Sequence, residues 1–198
     1  MLNLKKTLFV SYDGLTDPLG QSQILPYYIG LTKLGHKITI LSCEKKEAFN
    51  LHSAHIKEIC EKNKLTWKYI FYRKNPPIFS TTIDLNELKL KALKLHNKTA
   101  FDLVHCRTVL TTDIGFALQK RGAKFIYDIR GFWADERVDG KLWSLTNPLY
   151  KFIYKKFKKK ERNAYLKSDC IITLTESAKM LLNEEFKVLK SKIFVVPC

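Results

Sequence analysis

The densest chemistry in this sequence lies between Phe125 and Gly140, a stretch that reads FIYDIRGFWADERVDG. Asp128, Asp135 and Glu136 bring carboxylates, Arg130 and Arg137 bring guanidinium groups, and Phe132 and Trp133 bring aromatic faces. Such a mixture suits a polyhydroxylated ligand, because a sugar offers apolar ring faces and many hydroxyls. A carboxylate in that setting can act as a base or steady a cationic transition state. The competing account is a solvated loop whose aromatics pack on a sheet. So dense a mixture is rarely needed for packing alone, so the stretch is taken as a candidate site, with Arg130 and Trp133 as substrate contacts.

Three other places carry usable groups. Gly14 and Gly20 bracket a loop that holds Asp17 and Gln21 and leads into a helical pattern at Ser22. Free amides and a helix dipole at such a place favour an anion, although an ordinary strand-to-helix turn explains the same residues. The spacing is not G-x-G-x-x-G, so the dinucleotide fingerprint is missing. His105 and Arg107 flank Cys106 at the end of a strand-like run. A core histidine beside a phosphate-gripping arginine is one account of them, and plain packing is the other. Thr175 and Glu176 begin a helical pattern, where Thr175 or Ser177 serves as an N-cap unless a second domain faces them. The five cysteines (43, 60, 106, 170 and 198) are scattered and odd in number, which argues against a disulfide framework and a zinc site, and for a reducing cytosol. No metal site is expected.

The elements that must hold these groups alternate regularly. Short apolar runs at Thr7–Ser11, Lys37–Ser42, Thr66–Tyr72, Leu103–Cys106, Lys124–Asp128, Cys170–Leu174 and Ile193–Val196 suit strands buried on both faces of a sheet. Helical patterns fill the gaps at Ser22–Leu34, Lys45–Lys62, Leu85–Asn97, Leu110–Lys120, Pro148–Leu166 and Glu176–Phe186. Pro76-Pro77 marks a loop after the third strand. Strand then helix, repeated, predicts an α/β fold: a doubly wound, mostly parallel, Rossmann-like sheet of about seven strands with helices on both faces. A chain of 198 residues is one domain by size. Its last strand abuts the terminus, which suggests a domain cut at a boundary. In such a sheet, ligands gather beyond the carboxyl ends of the strands, and all the candidates above fall there.

Charge narrows the partners. The formal net charge is +16. Between Lys151 and Arg162, seven basic residues stand against the single acid Glu161. Leu149, Ile153, Phe157 and Ala164 form the expected inward stripe of this helix, with Phe152 and Tyr154 flanking it. Lys151, Lys155, Lys156, Lys158, Lys159 and Lys160 are then expected on a face turned to an anionic membrane. A core helix with a solvated charged back is the plainer account. No stretch approaches the roughly 20 apolar residues of a membrane span. A basic nucleic-acid-binding module, or a nucleotide-binding Rossmann-like one, would also explain the charge. The carboxylates among the aromatics at Phe132-Trp133 disfavour a phosphodiester ligand.

Several segments together resemble a known family. The glycine loop, Leu34-Gly35-His36-Lys37-Ile38-Thr39, Phe101-Asp102-Leu103-Val104-His105 and Ser168-Asp169-Cys170-Ile171-Ile172 are similar, in order and spacing, to group 1 (family 4) retaining GT-B glycosyltransferases. The 125–136 stretch resembles a bacterial subgroup that assembles surface polysaccharides, and Lys192–Cys198 resembles the approach to that family's interdomain linker. The resemblance implies an amino-terminal, acceptor-side half of a two-lobed enzyme, 1–198, whose donor-binding carboxyl-terminal half is missing, so that the chain alone is inactive. It implies a nucleotide-sugar co-substrate and no other cofactor. Hexosyl transfer to a polyprenyl-linked or surface-glycan acceptor at the cytoplasmic face of the plasma membrane follows, with no nucleic-acid partner. Gly14 and Gly20 would then approach the donor diphosphate and acceptor. Asp128 stands where many relatives have a histidine close to the reacting sugar. Arg130, Asp135 and Glu136 would touch acceptor or phosphate, with Asp135 or Glu136 held in reserve as a base.

Overall fold

The computed structural model describes residues 4–76 and 79–197, so Pro77 of the expected loop and the terminal Cys198 lie outside the described residues. Seven strands form a single sheet: β1 (Lys6–Val10), β2 (Lys37–Glu44), β3 (Thr66–Phe71), β4 (Leu103–Arg107), β5 (Lys124–Asp128), β6 (Cys170–Thr173) and β7 (Ile193–Val195). Their spatial order is β3-β2-β1-β4-β5-β6-β7, and every neighbouring pair is parallel. The expected doubly wound α/β sheet is therefore present. The chain winds outward from β1 to β3, then returns to place β4 beside β1. That reversal makes the β1/β4 gap the switch point, where a crevice must open at the carboxyl ends.

Among the described residues, seven α-helices connect the strands: α1 (Leu25–Lys33), α2 (Lys46–Lys62), α3 (Phe79–Thr99), α4 (Thr112–Gln119), α5 (Trp133–Asp139), α6 (Pro148–Lys167) and α7 (Glu176–Phe186). Alternating strand residues feed two cores. On one face Val10, Val104, Phe125, Tyr127, Ile171 and Ile193 pack with Leu88 and Ala92 of α3, Ile114 and Leu118 of α4, Tyr165 of α6 and Leu182 of α7. On the other, Phe9, Ile38 and Ile40 pack with Leu25 and Tyr28 of α1 and Ile56 and Cys60 of α2. Each fully buried aliphatic or aromatic side chain contributes about 1.5–3 kcal/mol, so these layers dominate the stability.

The second face is unevenly dressed. Its core reaches only as far as α1 and α2. Ile126, Cys170, Ile172 and Phe194, which lie on that face of β5, β6 and β7, belong to neither core, and Phe194 is 54% exposed. Parallel sheets are ordinarily covered on both sides.

Several local details depart from expectation. The third helix begins at Phe79, six residues earlier than the pattern suggests, and α5 occupies a stretch expected to be loop. Leu149, placed on the inward stripe of α6 by its spacing, is exposed, as are Pro148, Lys151 and Phe152 around it. Gly35 ends α1 at φ +91°, with His36 N–H donating to Leu31 and Gly35 N–H to Thr32, a Schellman cap that a left-handed residue makes possible.

Two glycines have opposite surroundings. A Cβ on Gly20 would meet the Gly14 carbonyl and come within 2.6 Å of Leu15 Cα and 2.7 Å of Leu15 O, all backbone. A Cβ on Gly30, inside α1, meets nothing. Gly20→Ala is expected to cost about 1–3 kcal/mol or more by overpacking. Gly30→Ala is expected to gain roughly 0.5–1 kcal/mol from helix propensity. Urea titration of both variants checks the contrast.

Candidate functional site

The loop after β1 is held from below by a carboxylate. Glu44, the last residue of β2, is fully buried and accepts from Leu15 N–H (2.7 Å), Thr16 N–H (3.1 Å), Thr16 Oγ1 and Ser42 Oγ (2.5 Å each). A buried carboxylate is tolerated only when donors replace its water, and here four do. The absent Cβ of Gly14 faces this carboxylate, 2.6 Å from Glu44 Oε2. Gly14 N–H donates to Asp17 Oδ2 (3.3 Å), which also receives Lys45 Nζ (3.0 Å), and Gln21 Nε2 donates to Thr16 O (2.9 Å). The Gly14, Leu15 and Thr16 amides, expected to be free for an anion beside Asp17, Gly20 and Gln21, are thus engaged by the protein's own carboxylates.

A π-helical turn, Gly20–Ile24, leads from that loop into α1 and aims Gln23, Tyr27 and Tyr28 at the switch point. There they meet the ends of β4 and β5. A narrow cavity is lined by Phe9, Gln23, Ile24, Tyr27, Tyr28, His105, Arg107, Asp128 and Arg130. Tyr28 Oη lies 2.7 Å from His105 Nδ1, and His105 Nε2 lies 3.3 Å from Asp128 Oδ2, a charge–dipole contact short of hydrogen-bond alignment. Arg130 grips the same oxygen through Nε (3.0 Å) and Nη2 (2.9 Å). Arg107, itself buried, ties β4 to the loop through Asp13 (3.3 Å) and to the π-turn through Gln23 (2.9 Å).

Burial alone would push the Asp128 carboxyl upward. The contacts of His105 and Arg130 outweigh it and hold the group below the usual aspartate range, so it is ionised at neutral pH. Burial raises the Tyr28 hydroxyl well above its ordinary value, keeping it protonated. Next door, Thr108 adopts φ +64° and ψ 166°, a conformation costly for a β-branched residue by about 1–3 kcal/mol. Its amide donates to Asp128 O (3.0 Å), and Thr111 Oγ1 closes the turn on Arg107 O (2.7 Å). Such strain is characteristic of functional loops.

The carboxylates further along do not join Asp128. Asp135 accepts from Tyr154 Oη (2.7 Å) and Lys158 Nζ (2.6 Å), so it fastens α5 to α6. Glu136 is exposed and lies over Gly131, outside the cavity lining. Trp133 packs edge-on against Trp143 (5.4 Å) and at a tilt against Phe157 (4.7 Å), and Arg137 lies over its face at 4.8 Å. Thr175 caps α7 by accepting from Ala178 N–H (3.1 Å), with the exposed Glu176 in the first turn. Among the lysines, Lys151, Lys155, Lys156 and Lys159 are exposed. Lys158 and Lys160 are not free to face a surface, since Lys158 pairs with Asp135 and Glu161, and Lys160 with Asp113 (2.8 Å) and Leu110 O (3.2 Å). Sequence reasoning also passed over Tyr27, Tyr28 and Gln23. The available signal was a phenol within an aliphatic stripe, which needs a polar partner when buried.

Comparison with known proteins follows the same lines. The profile of Glycosyltransferase Family 4 matches residues 28–198. No curated protein matches the chain. Among solved structures, a glycosyltransferase from Rickettsia africae ESF-5 is similar at a TM-score of 0.59 and 22% identity, over 98% of this chain and 43% of that one. LpCGTa in complex with UDP is similar at 0.64 and 12%, over 98% and 54%. A putative UDP-N-acetylglucosamine 2-epimerase from Listeria monocytogenes gives 0.60 and 13%, over 98% and 45%. The chain spans about half the length of these structures, which at such identities speak for the fold alone. With its parallel sheet, its switch-point cavity and a profile match from Tyr28 onward, the chain belongs to glycosyltransferase family 4.

Proposed function

We propose that this chain is the acceptor-side half of a retaining glycosyltransferase that moves a hexosyl group from a nucleotide-sugar to a lipid-linked or surface-glycan acceptor. The observation that carries the reading is the ionised Asp128 carboxylate beneath a cavity at the β1/β4 switch point, flanked by Arg107 and Arg130. A fixed negative charge there suits a sugar developing oxocarbenium character, and the partly exposed Arg130 guanidinium suits phosphate. LpCGTa, which shares the fold, was solved with UDP. The donor half is supplied by further polypeptide, on this chain or another. The half-length match and the exposed Phe194 at the β7 edge of that face support that reading.

The acceptor is placed at an anionic membrane. Leu142, Leu145, Leu149 and Phe152 are exposed at the start of α6 and in the loop before it, and Lys151, Lys155, Lys156 and Lys159 are exposed beside them. Burying Leu or Phe in lipid is worth about 1.5–3 kcal/mol each, and each lysine near an anionic leaflet about 1 kcal/mol. Apolar tip and cationic flank together support the reading of an interfacial helix.

Three measurements test this. Combined with a donor-binding half, a panel of nucleotide-sugars and polyprenyl-diphosphate-linked acceptors, the chain is expected to support transfer, and Asp128→Asn to lower kcat by about 100-fold or more. An unchanged kcat removes Asp128 from the chemistry. In vesicle co-sedimentation, Lys→Gln at 151, 155, 156 and 159 together is expected to weaken binding to anionic vesicles by on the order of 100- to 1,000-fold. Leu149→Ser with Phe152→Ser should weaken it independently of lipid charge; wild-type binding that is equal on neutral vesicles counts against the membrane reading. Cys170, half-buried on the second face of the sheet, is expected to react with a maleimide in a Cys198→Ser background and to be protected by the donor half. Undiminished labelling in the complex would place the partner elsewhere.

A further inference from the structure

Behind the Asp128 carboxylate stands a second layer that the sugar-transfer chemistry does not use directly. Tyr28 and His105 are both almost wholly buried, the phenol 2.7 Å from Nδ1, and the imidazole is wedged edge-on against Phe9 at 5.2 Å. Neither side chain reaches the loop residues or the charged rim by any hydrogen bond described above. The imidazole's second nitrogen faces Asp128 Oδ2 at 3.3 Å. All of Arg130's described bonds to Asp128 fall on that same oxygen. Oδ1 is buried and carries no hydrogen bond among the described residues, although Asp128 lines the cavity.

These contacts distinguish the two tautomers of the ring. Were Nδ1 the protonated nitrogen, the Nε2 lone pair would point at a carboxylate oxygen, and the phenol's proton would need another acceptor inside the core. Both are costly in a low-dielectric setting. With the proton on Nε2 instead, the Tyr28 hydroxyl donates to Nδ1 and Nε2–H turns its positive end toward Oδ2. Donor polarity then runs in one direction, from phenol to imidazole to carboxylate.

We infer that Tyr28 and His105 are a positioning pair: Tyr28 fixes His105 as the Nε2–H tautomer, which with Arg130 pins Asp128 by Oδ2. The inference rests on the proposed role of Asp128 for its functional meaning, but the tautomer belongs to the chain itself. Asp128 becomes a hydrogen-bond acceptor of fixed direction. A carboxylate held at Oδ2 keeps its orientation whether or not substrate is bound, so no reorganisation is needed at the moment of transfer. The second-layer logic parallels that of oriented histidines at metal centres, where a hydrogen bond to one ring nitrogen sets the state of the other.

Long-range 15N–1H correlation spectra of the 198-residue chain, labelled in histidine and assigned with a His105→Gln variant, test the inference without any transfer assay. The expected result at neutral pH is the Nε2–H pattern for His105. Tyr28→Phe, which removes the donor and keeps the ring, should shift the tautomer ratio by about tenfold toward Nδ1–H or ring protonation. An Nδ1–H ring or an imidazolium in the wild type overturns the inference before any variant is made. So does a ratio unmoved by a folded Tyr28→Phe. If the tautomer is as stated but Asp128→Asn leaves transfer intact, the pair stands and the catalytic role of Asp128 falls, so the two failures are told apart.

Discussion

The arrangement at the switch point depends on a carboxylate that never meets solvent. Glu44 fixes the amides of Leu15 and Thr16, and so sets the height of the loop after β1. That loop is the surface against which Gly20 packs without room for a Cβ, and Gly20 begins the π-turn that launches α1. The launch angle delivers Gln23 to Arg107 and Tyr28 to His105, and through His105 it reaches Asp128. A charge stripped of water costs several kcal/mol unless donors replace it, so the loop cannot open without exposing that cost. What looks from the sequence like a flexible glycine loop is a clamped one.

This explains why some motifs could be read and others could not. Continuous apolar runs declare buried parallel strands whatever their neighbours do, so the sheet was legible. The motif aspartates were legible only as motif. Asp102 accepts from Lys6 N–H (2.7 Å), and Asp169 from Phe125 N–H (2.9 Å), Gln119 (2.7 Å) and Lys124 (3.0 Å). Both therefore pin the amino-terminal edge of the sheet, opposite the cavity. Burial would raise Asp169, but those donors hold it below its ordinary value. Residue type and spacing report that an acid is needed at such a place; they do not report which rim it serves. The same limit hid α5: a mixture of charge and aromatic residues has no clean period, and only packing against α6 makes seven residues helical.

Helix α6 shows how one element divides its charge between two tasks. Its inward face carries Glu161, whose carboxyl is raised by burial despite Lys158 and the Ala134 amide, and which helps to seat the first turn of α5. Lys158 bridges Asp135 and Glu161, and Lys160 reaches α4 through Asp113. These are interior fasteners, drawn from the same lysine run that supplies the exposed face. Net charge counted along the sequence overstates what a membrane can feel, since a lysine neutralised by a neighbouring acid adds nothing to long-range attraction. The outward set, with Phe152 and Leu149 beside it, is smaller and better defined.

Asp128 itself argues for one kind of chemistry over another. A general base works best with a pKa near the operating pH and a clear line to the proton it removes. Asp128 has neither: His105 and Arg130 depress its pKa, Arg130 is bonded to it, and its carboxylate is fully buried. The same features favour electrostatic work. A persistent negative charge, kept from water and held by one oxygen, interacts strongly with positive charge developing nearby, and the strength of that interaction grows as the site closes. The two candidate bases further along the chain do not compete for this role, because Asp135 is committed to Tyr154 and Lys158 and Glu136 stands in solvent. Proton removal, where the reaction needs it, therefore falls to a group outside this cavity, and the cavity's own contribution is a fixed field.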